Sequence, residues 1–404
     1  MRRVLFFSAL LASLAMASPD VGAAPSKPVK TKAEAGNRFS GFVERLWPVA
    51  RAKGVSRATF DLAFKGMTPD VEVIALTKKQ SEFVKPIWDY LASATSAARI
   101  ERGTRILAEN ESTIAAVEAR YGVDRSVLLG VWGMETNFGS YTGGKDVLRS
   151  LATLASIGYR GTYFRDELIN ALRILEERHV ARADFKGSWA GAMGQTQFMP
   201  SSFWRFAVDF DSDGHKDIWK SVPDALASTA NYLKENGWRT GQPWGFEVSL
   251  PKGFDYRVHE ASFAEWSTRG VSRADGQALP QEGQANLFYP AGADGPIFLV
   301  TSNFNVIKRY NASDAYALGV ASLGDLLNGG ARIRASWPTE DPLLALAQRI
   351  ELQRALTRLG YDVGNPDGRI GSRTREAIRD FQVRAGMRPD GYPNRRVLEA
   401  LKLN

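Results

Sequence analysis

The sequence predicts a mainly helical chain (α+β in class), with a small strand-containing insertion and a three-helix unit at its C-terminus. Three features lead there. Apolar residues recur at helical spacing through most of the chain before residue 236. Between 239 and 300 that period gives way to short apolar runs (FEVSL, FDYRV, LFYP, IFLV) separated by Gly, Pro and Asp-Gly turns. Beyond ARIRASWPTEDPLLA, a stretch with two prolines at 331–345, three short helical stripes alternate with turns.

Taken in order, the start MRRVLFFSALLASLAMASPD reads as a signal peptide. Arg2 and Arg3 form its basic end, and Val4 to Leu14 form an apolar core too short to span a bilayer. Ala15-Met16-Ala17 fits the cleavage site; a cut after Ala24 is disfavoured by Pro25. Residues 18–36 then read as a flexible leader. Phe39, Phe42, Val43, Leu46 and Trp47 lie on one helical stripe, and Ser56 can cap the helix that follows it. Residues 81–120 hold two further helices. Residues 147–180 hold two more, split at Gly158–Gly161, with His179 placed to meet a helix dipole. Ser201 or Ser202 can cap the next helix, and Asn311 or Ser313 a later one. Leu352, Leu356 and Leu359, then Thr374, Ala377, Ile378 and Phe381, then Leu398 and Leu401, mark the three C-terminal helices. The expected division is 1–17 signal peptide, 18–36 leader, 37–332 main body, 333–345 linker and 346–404 terminal module.

The chemistry concentrates in RSVLLGVWGMETNFGSYTGGK, residues 125–145. Leu128, Val131, Trp132 and Glu135 share one helix face. A carboxylate on a buried face loses hydration, and a helix C-terminus adds partial negative charge; both disfavour its ionised form. Such an acid can keep its proton near neutral pH and give it to a leaving group. Asn137-Phe138-Gly139 offers a glycine stop for that helix. In GSWAGAMGQTQFMPSS, the small residues Ser188 to Gly194 allow close backbone approach to a ligand. Trp189, Phe198 and Trp204 flank that run as a possible wall for the apolar faces of sugar rings.

Asp209, Asp211 and Asp213 repeat at i, i+2 and i+4 before Gly214, the opening of an EF-hand-type calcium loop. The backbone carbonyl of His215 stands at its seventh position. Lys220 occupies the twelfth, where an EF-hand has Glu, so Asp224 is the expected replacement. Without a metal, three close carboxylates would repel one another. The expected cofactor is therefore a structural Ca2+, with no organic cofactor.

The chain has no cysteine, which excludes disulfides, thiol chemistry, Cys-based metal sites and a lipid-modified N-terminal cysteine. With the leader, this predicts an exported, soluble periplasmic protein without a transmembrane segment. Its three histidines, with no His-Glu-x-x-His helix, disfavour a zinc peptidase. A formal net charge of +8, of which Arg2 and Arg3 supply two, favours an anionic partner. Lacking a basic run or stacking motif, an exported chain fits a wall polymer better than nucleic acid.

Four of these motifs together, METNFG, GSWAGAMGQTQFMPSS, DFDSDGHKDIW with ALASTANYL, and FNVIKRYNASDAYA, resemble the B-type lytic murein transglycosylases. LQRALTRLGY, DGRIGSRTREAIRDFQ and GMRPDG resemble the small peptidoglycan-binding domain. The resemblance implies a goose-lysozyme-like, mostly helical catalytic domain. It implies cleavage of the β-1,4 bond between N-acetylmuramic acid and N-acetylglucosamine in peptidoglycan glycan strands, with the cell-wall synthesis machinery as a possible partner. It makes Glu135 the acid/base, and places Ser188, Tyr232 and Asn311 near the reacting sugar. It sets Tyr163, Met193, Gln197, Tyr310 and Tyr316 along the glycan groove. It gives the calcium loop Asp209, Asp211, Asp213, His215 and Asp224.

Most glycosidases use two carboxylates. Here the motifs offer one outside the metal loop, which points to assistance by the substrate's own acetamido group and a 1,6-anhydro product. A lysozyme-type hydrolase would need a second carboxylate, for which Asp146 is the nearest in sequence. A non-catalytic wall-binding scaffold would need no Glu135 at all.

Overall fold

The computed structural model describes residues 32–78, 85–341 and 343–403. The expected signal peptide lies outside them. Among the described residues, two compact units form, one from 32–78 and 97–236, the other from 85–96 and 237–403.

The first unit opens with α1 (Lys32–Ala52), α2 (Arg57–Phe64) and α3 (Val71–Lys78). Helix α1 begins inside the stretch expected to be leader. Ser56 caps α2, accepting the Thr59 N–H at 3.2 Å. The short α4 (Ile87–Ala94) belongs to the other unit. The first unit resumes with α5 (Ala97–Glu109), α6 (Glu111–Tyr121) and α7 (Arg125–Thr136). Residues 81–120 thus carry three helices where the apolar pattern indicated two, because Ser96 and Asn110 each break the run into short pieces.

Helix α7 is the centre of this unit. Every residue from Ser126 to Thr136 except Met134 is buried. A helix buried on all sides belongs in a core, and α5, α6 and the later α11 surround it. A two-stranded pair follows, β1 (Lys145–Asp146) with β2 (Lys186–Gly187), antiparallel with Lys145 opposite Gly187. Between them run α8 (Val147–Ser156) and α9 (Tyr163–Glu176), packed on each other, with α1 and α3 against α8 and α2 against α9. Helices α10 (Pro200–Phe206) and α11 (Val222–Glu235) complete the unit.

The second unit carries the insertion: β3 (Gly245–Ser249), β4 (Glu260–Ser262), α12 (Phe263–Thr268), β5 (Ser272–Arg273), β6 (Gln284–Phe288) and β7 (Ile297–Val300). They form one antiparallel sheet in the order β4-β6-β7-β3-β5. Three of the four expected runs are strands. FDYRV is not, because Asp255 accepts the Arg257 N–H at 3.1 Å and binds the Arg257 guanidinium, closing a turn. Phe254, Tyr256 and Val258 instead pack on the sheet core of Phe246, Phe263, Trp266 and Leu299.

Helices α13 (Ser302–Tyr310) and α14 (Asp314–Leu327) follow, with α4 packed on α14. The terminal module is α15 (Leu346–Arg358), α16 (Ser372–Arg384) and α17 (Arg395–Ala400), closed over Leu352, Leu356, Ile378, Phe381, Val397 and Leu398. It contains an internal echo. Gln353 accepts the Gly368 N–H at 2.6 Å and Gln382 the Gly391 N–H at 2.8 Å, so each Asp-Gly turn is held by a buried glutamine one helix back.

Candidate active site

Glu135 stands in the last turn of α7 and is 8% exposed. The helix stops at Asn137 rather than at a glycine. Asn137, Phe138 and Gly139 take left-handed φ angles of 50°, 59° and 73° in succession. For Phe138 that conformation is costly. Burial of its ring edge-on to Trp132, at 5.9 Å and 81°, stabilises it.

The turn is locked to the GSWAGAMGQTQFMP loop by a residue the sequence did not single out. Gln195 is buried, and its Oε1 accepts the Trp132 indole N–H at 2.9 Å. Its backbone carbonyl accepts the Thr136 hydroxyl at 3.1 Å, and that hydroxyl accepts the Gly139 N–H. On its far side the Gln195 N–H reaches the Ile218 carbonyl at 2.8 Å, and its Nε2 the Trp219 carbonyl at 3.3 Å. Residues 63 positions apart therefore fix the helix end that carries Glu135. The only hint in sequence is the doubled Gln of GQTQ, which does not tell the inward glutamine from the outward one.

Gln197 is the outward one. It has a φ of 51°, is half-buried, and donates through Nε2 to the carbonyls of Thr142 at 3.0 Å and Gly194 at 2.9 Å. Ser188 closes a tight turn: its Oγ accepts the Ala192 N–H at 2.9 Å and its N–H donates to the Ala192 carbonyl at 2.8 Å. A hydroxyl in that role still has its own proton to donate. Close approach between the two loops requires glycine at 143, where φ is 99° and a Cβ would lie 2.2 Å from the Gly187 carbonyl oxygen.

The expected groove residues differ in exposure. Met193 is wholly buried, because its backbone pairs with both Gly187 and Phe198 and turns its side chain into the core. The proposed aromatic wall is reduced: Phe198 is buried, and the Arg173 guanidinium lies 4.3 Å over Trp204. Trp189 remains half-exposed. Tyr232, on α11, is half-buried and packs on Phe206 at 4.7 Å and Phe198 at 5.7 Å. Tyr163 opens α9. Burial raises the pKa of its phenol, and that phenol bonds Glu167 one turn on. Glu167 is itself buried, with its carboxyl raised by burial. It accepts the Ser201 N–H at 2.8 Å and the Ser201 hydroxyl at 2.6 Å. It thereby caps α10 from another helix, where Ser201 or Ser202 was the expected cap.

Two other titratable groups have structural tasks. Asp146, the rival catalytic carboxylate, caps α8 through the Arg149 N–H at 3.0 Å and pairs with Arg182 at 2.7 Å. His179 does not act as a charged dipole partner: burial lowers its pKa, and Nδ1 accepts the Lys216 N–H at 3.3 Å, which needs an unprotonated nitrogen.

The carboxylates of Asp209, Asp211 and Asp213 bring oxygens within 4.8 Å of one another. Gly214, at φ 91°, turns the chain, and its N–H donates to Asp209 at 2.9 Å; the His215 N–H donates to Asp213 at 2.8 Å. Three hard oxygen donors on a preformed turn fit Ca2+. Asp224 does not stand in this cluster. It is fully buried, and its two oxygens accept the N–H groups of Phe210 at 2.7 Å, Asp211 at 3.4 Å and Asp217 at 2.8 Å. Its task is to anchor the loop.

In the second unit, Tyr310 ends α13 and Asn311 follows it, accepting the Ser313 N–H at 3.1 Å. Ser313, not Asn311, caps α14, through the Tyr316 N–H at 3.3 Å. Tyr316 is 2% exposed, so its ring belongs to the core and not to an open wall.

Residues 38–325 match the Transglycosylase SLT domain, and the chain belongs to that family. Residues 346–401 match a peptidoglycan-binding domain. Among solved structures, the chain is similar to SltB3 from Pseudomonas aeruginosa in complex with NAG-anhNAM-pentapeptide. The two share 47% identity with a TM-score of 0.85, over 90% of this chain and 99% of that one. The Escherichia coli lytic transglycosylase Slt35 in complex with calcium matches at 28% identity with a TM-score of 0.60, over 74% and 94%. The membrane-bound lytic murein transglycosylase B of Escherichia coli K12 is 38% identical over 212 residues. That match spans half of this chain and 57% of the curated relative's length.

Proposed function

We propose that this protein is an exported, periplasmic lytic transglycosylase that cleaves peptidoglycan glycan strands between N-acetylmuramic acid and N-acetylglucosamine without consuming water. The observation that carries the proposal is Glu135, a buried carboxylate in the last turn of α7, held by the Gln195 lock. Asp146, the rival carboxylate, caps α8 and pairs with Arg182, and Glu167 caps α10. One acid with these two carboxylates otherwise engaged suits substrate assistance better than the two-carboxylate scheme.

Glu135 protonates the glycosidic oxygen as that bond breaks, and the 2-acetamido oxygen of the muramic sugar closes on C1. The Glu135 carboxylate then takes the proton of the C6 hydroxyl. The C6 oxygen attacks C1, displaces the acetamido oxygen and leaves a 1,6-anhydro end. As the family resemblance implies, Ser188 and Asn311 would orient the acetamido group or the acid, Tyr232 would stand near the reacting sugar, and Tyr163, Gln197 and Tyr310 would line the glycan groove. The SltB3 complex holds an anhNAM compound, the kind of end this route leaves.

Asp209, Asp211, Asp213 and the His215 carbonyl would hold Ca2+, which would supply charge compensation to the loop and take no part in the reaction. The Slt35 calcium complex supports that assignment. The terminal module would bring the chain to the wall.

The test is mass spectrometry of muropeptides released from purified peptidoglycan by the protein lacking residues 1–17. Anhydro ends, lighter by one water than reducing ends, are expected. Glu135→Gln is expected to lower release by about 10²–10⁴-fold with its circular dichroism unchanged. Reducing ends would make the protein a hydrolase. Binding without any release would make it a scaffold.

A further inference from the structure

The terminal module makes contacts that a wall tether would not need. Asp314 is the first residue of α14, just past the Tyr310–Asn311 turn. Its Oδ1 takes the Lys308 ammonium at 2.6 Å, which ties the last turn of α13 to the first turn of α14 across Asn311. Its Oδ2 takes the Arg375 guanidinium of α16 at 3.0 Å. Both members of that second pair are four-fifths buried, where a charge pair is screened less than at the surface.

The module is also fixed elsewhere on the same unit. Asp390 accepts the Ala293 N–H at 2.9 Å through one oxygen while the other receives Gln382 and the Tyr392 N–H. Asp294 pairs with Arg388 and, at 3.1 Å, with Arg396. Arg375 is therefore not needed to hold the module in place. What it grips is the clasp around Asn311.

We propose that Arg375 is a positioning residue for the Tyr310–Asn311 turn, acting through Asp314, so that the module shapes the glycan site as well as carrying the chain to the wall. This rests on the assignment of Asn311 to the reacting sugar. Freed from Arg375, Asp314 keeps Lys308 alone, and the turn gains a conformational choice that a group aligned on a sugar cannot tolerate. Misplacement by about 1 Å can cost on the order of 10²-fold in rate.

The test compares full-chain variants on a short soluble peptidoglycan fragment, for which wall tethering is irrelevant, and on intact sacculi. Arg375→Met is expected to lower kcat on the soluble fragment by about 10- to 100-fold, with sacculus binding retained and Arg375→Lys restoring most of the rate. Asp314→Asn should reproduce the loss. The double variant should be no slower than either single one, as two residues acting through one pair require. A normal kcat on the soluble fragment with Arg375→Met overturns the proposal, as do losses that add in the double variant. Should Arg375→Met fail to fold, Arg375→Lys and Asp314→Asn still decide through the same rates. Wild-type protein that releases no anhydro ends fails the proposed function itself, a result distinct from a variant as fast as an active wild type.

Discussion

Gln195 shows how a neutral side chain can hold in place the helix end that carries an acid. It supplies the acceptor for a buried indole N–H and, through its backbone, the acceptor for Thr136, the residue next to Glu135. Removing the side chain leaves a buried donor unpaired, which costs about 1–3 kcal/mol. Gln195→Ala should therefore lower stability by that amount in urea denaturation, and slow the release of anhydro ends because the α7 terminus loosens. Gly143 carries a steric constraint of another kind. A methyl group there meets the Gly187 carbonyl at 2.2 Å, so backbone has to move. Gly143→Ala should cost about 3 kcal/mol, the upper end of ordinary substitutions, in the same assay.

At the scale of the element, the acidic loop and α7 form one mechanical series. Asp224 gathers the N–H groups at 210, 211 and 217; Ile218 and Trp219, next along, receive Gln195. Charge compensation at Asp209, Asp211 and Asp213 by a bound Ca2+ would thus stiffen the support of the helix that bears Glu135. Two substitutions separate anchor from ligand. Asp213→Ala should weaken the rise in melting temperature on adding CaCl2 and leave the chelated protein nearly unchanged. Asp224→Ala should destabilise the chelated protein itself, by roughly 1.5–3 kcal/mol for each charge-assisted bond lost. Chelator that leaves the wild-type melting temperature unmoved would remove the calcium assignment.

At the scale of the molecule, each unit carries a carboxylate held below its ordinary pKa. Burial opposes ionisation of Asp70, but Lys145 at 3.0 Å and the N–H groups of Glu72 and Val73 outweigh it. Burial likewise opposes ionisation of Asp314, and the charges of Arg375 and Lys308 overcome it. A depressed folded pKa gives stability that is complete above the unfolded value, about 3.9 for Asp, and lost as pH falls through the folded one. Melting temperature should therefore drop on acidification below about pH 4. Asp314→Asn should show a shallower drop. Glu167 runs the other way. Its carboxyl is raised by burial, so its contribution is whole below the ordinary value and fades as pH rises through the raised one.

The sequence by itself determined what depends on local pattern. A 3.6-residue period marked α7 and placed Glu135 at its end. Ser56 and Ser313 were legible as caps because a cap bonds within three residues of itself. Spacing alone clustered Asp209, Asp211 and Asp213, and the separated motifs pointed to the family. Tertiary structure decided whatever depends on partners far along the chain. Gln195 turned inward to Trp132 while Gln197 turned outward. Glu167 displaced the local serines as the cap of α10. Asp224 became an anchor instead of a ligand, and α4 joined the unit built from residues beyond 236. A side chain's neighbours along the chain fix its backbone geometry, but burial and hydrogen bonding are settled by residues brought in from elsewhere. Buried polar groups take whichever partner the packing supplies.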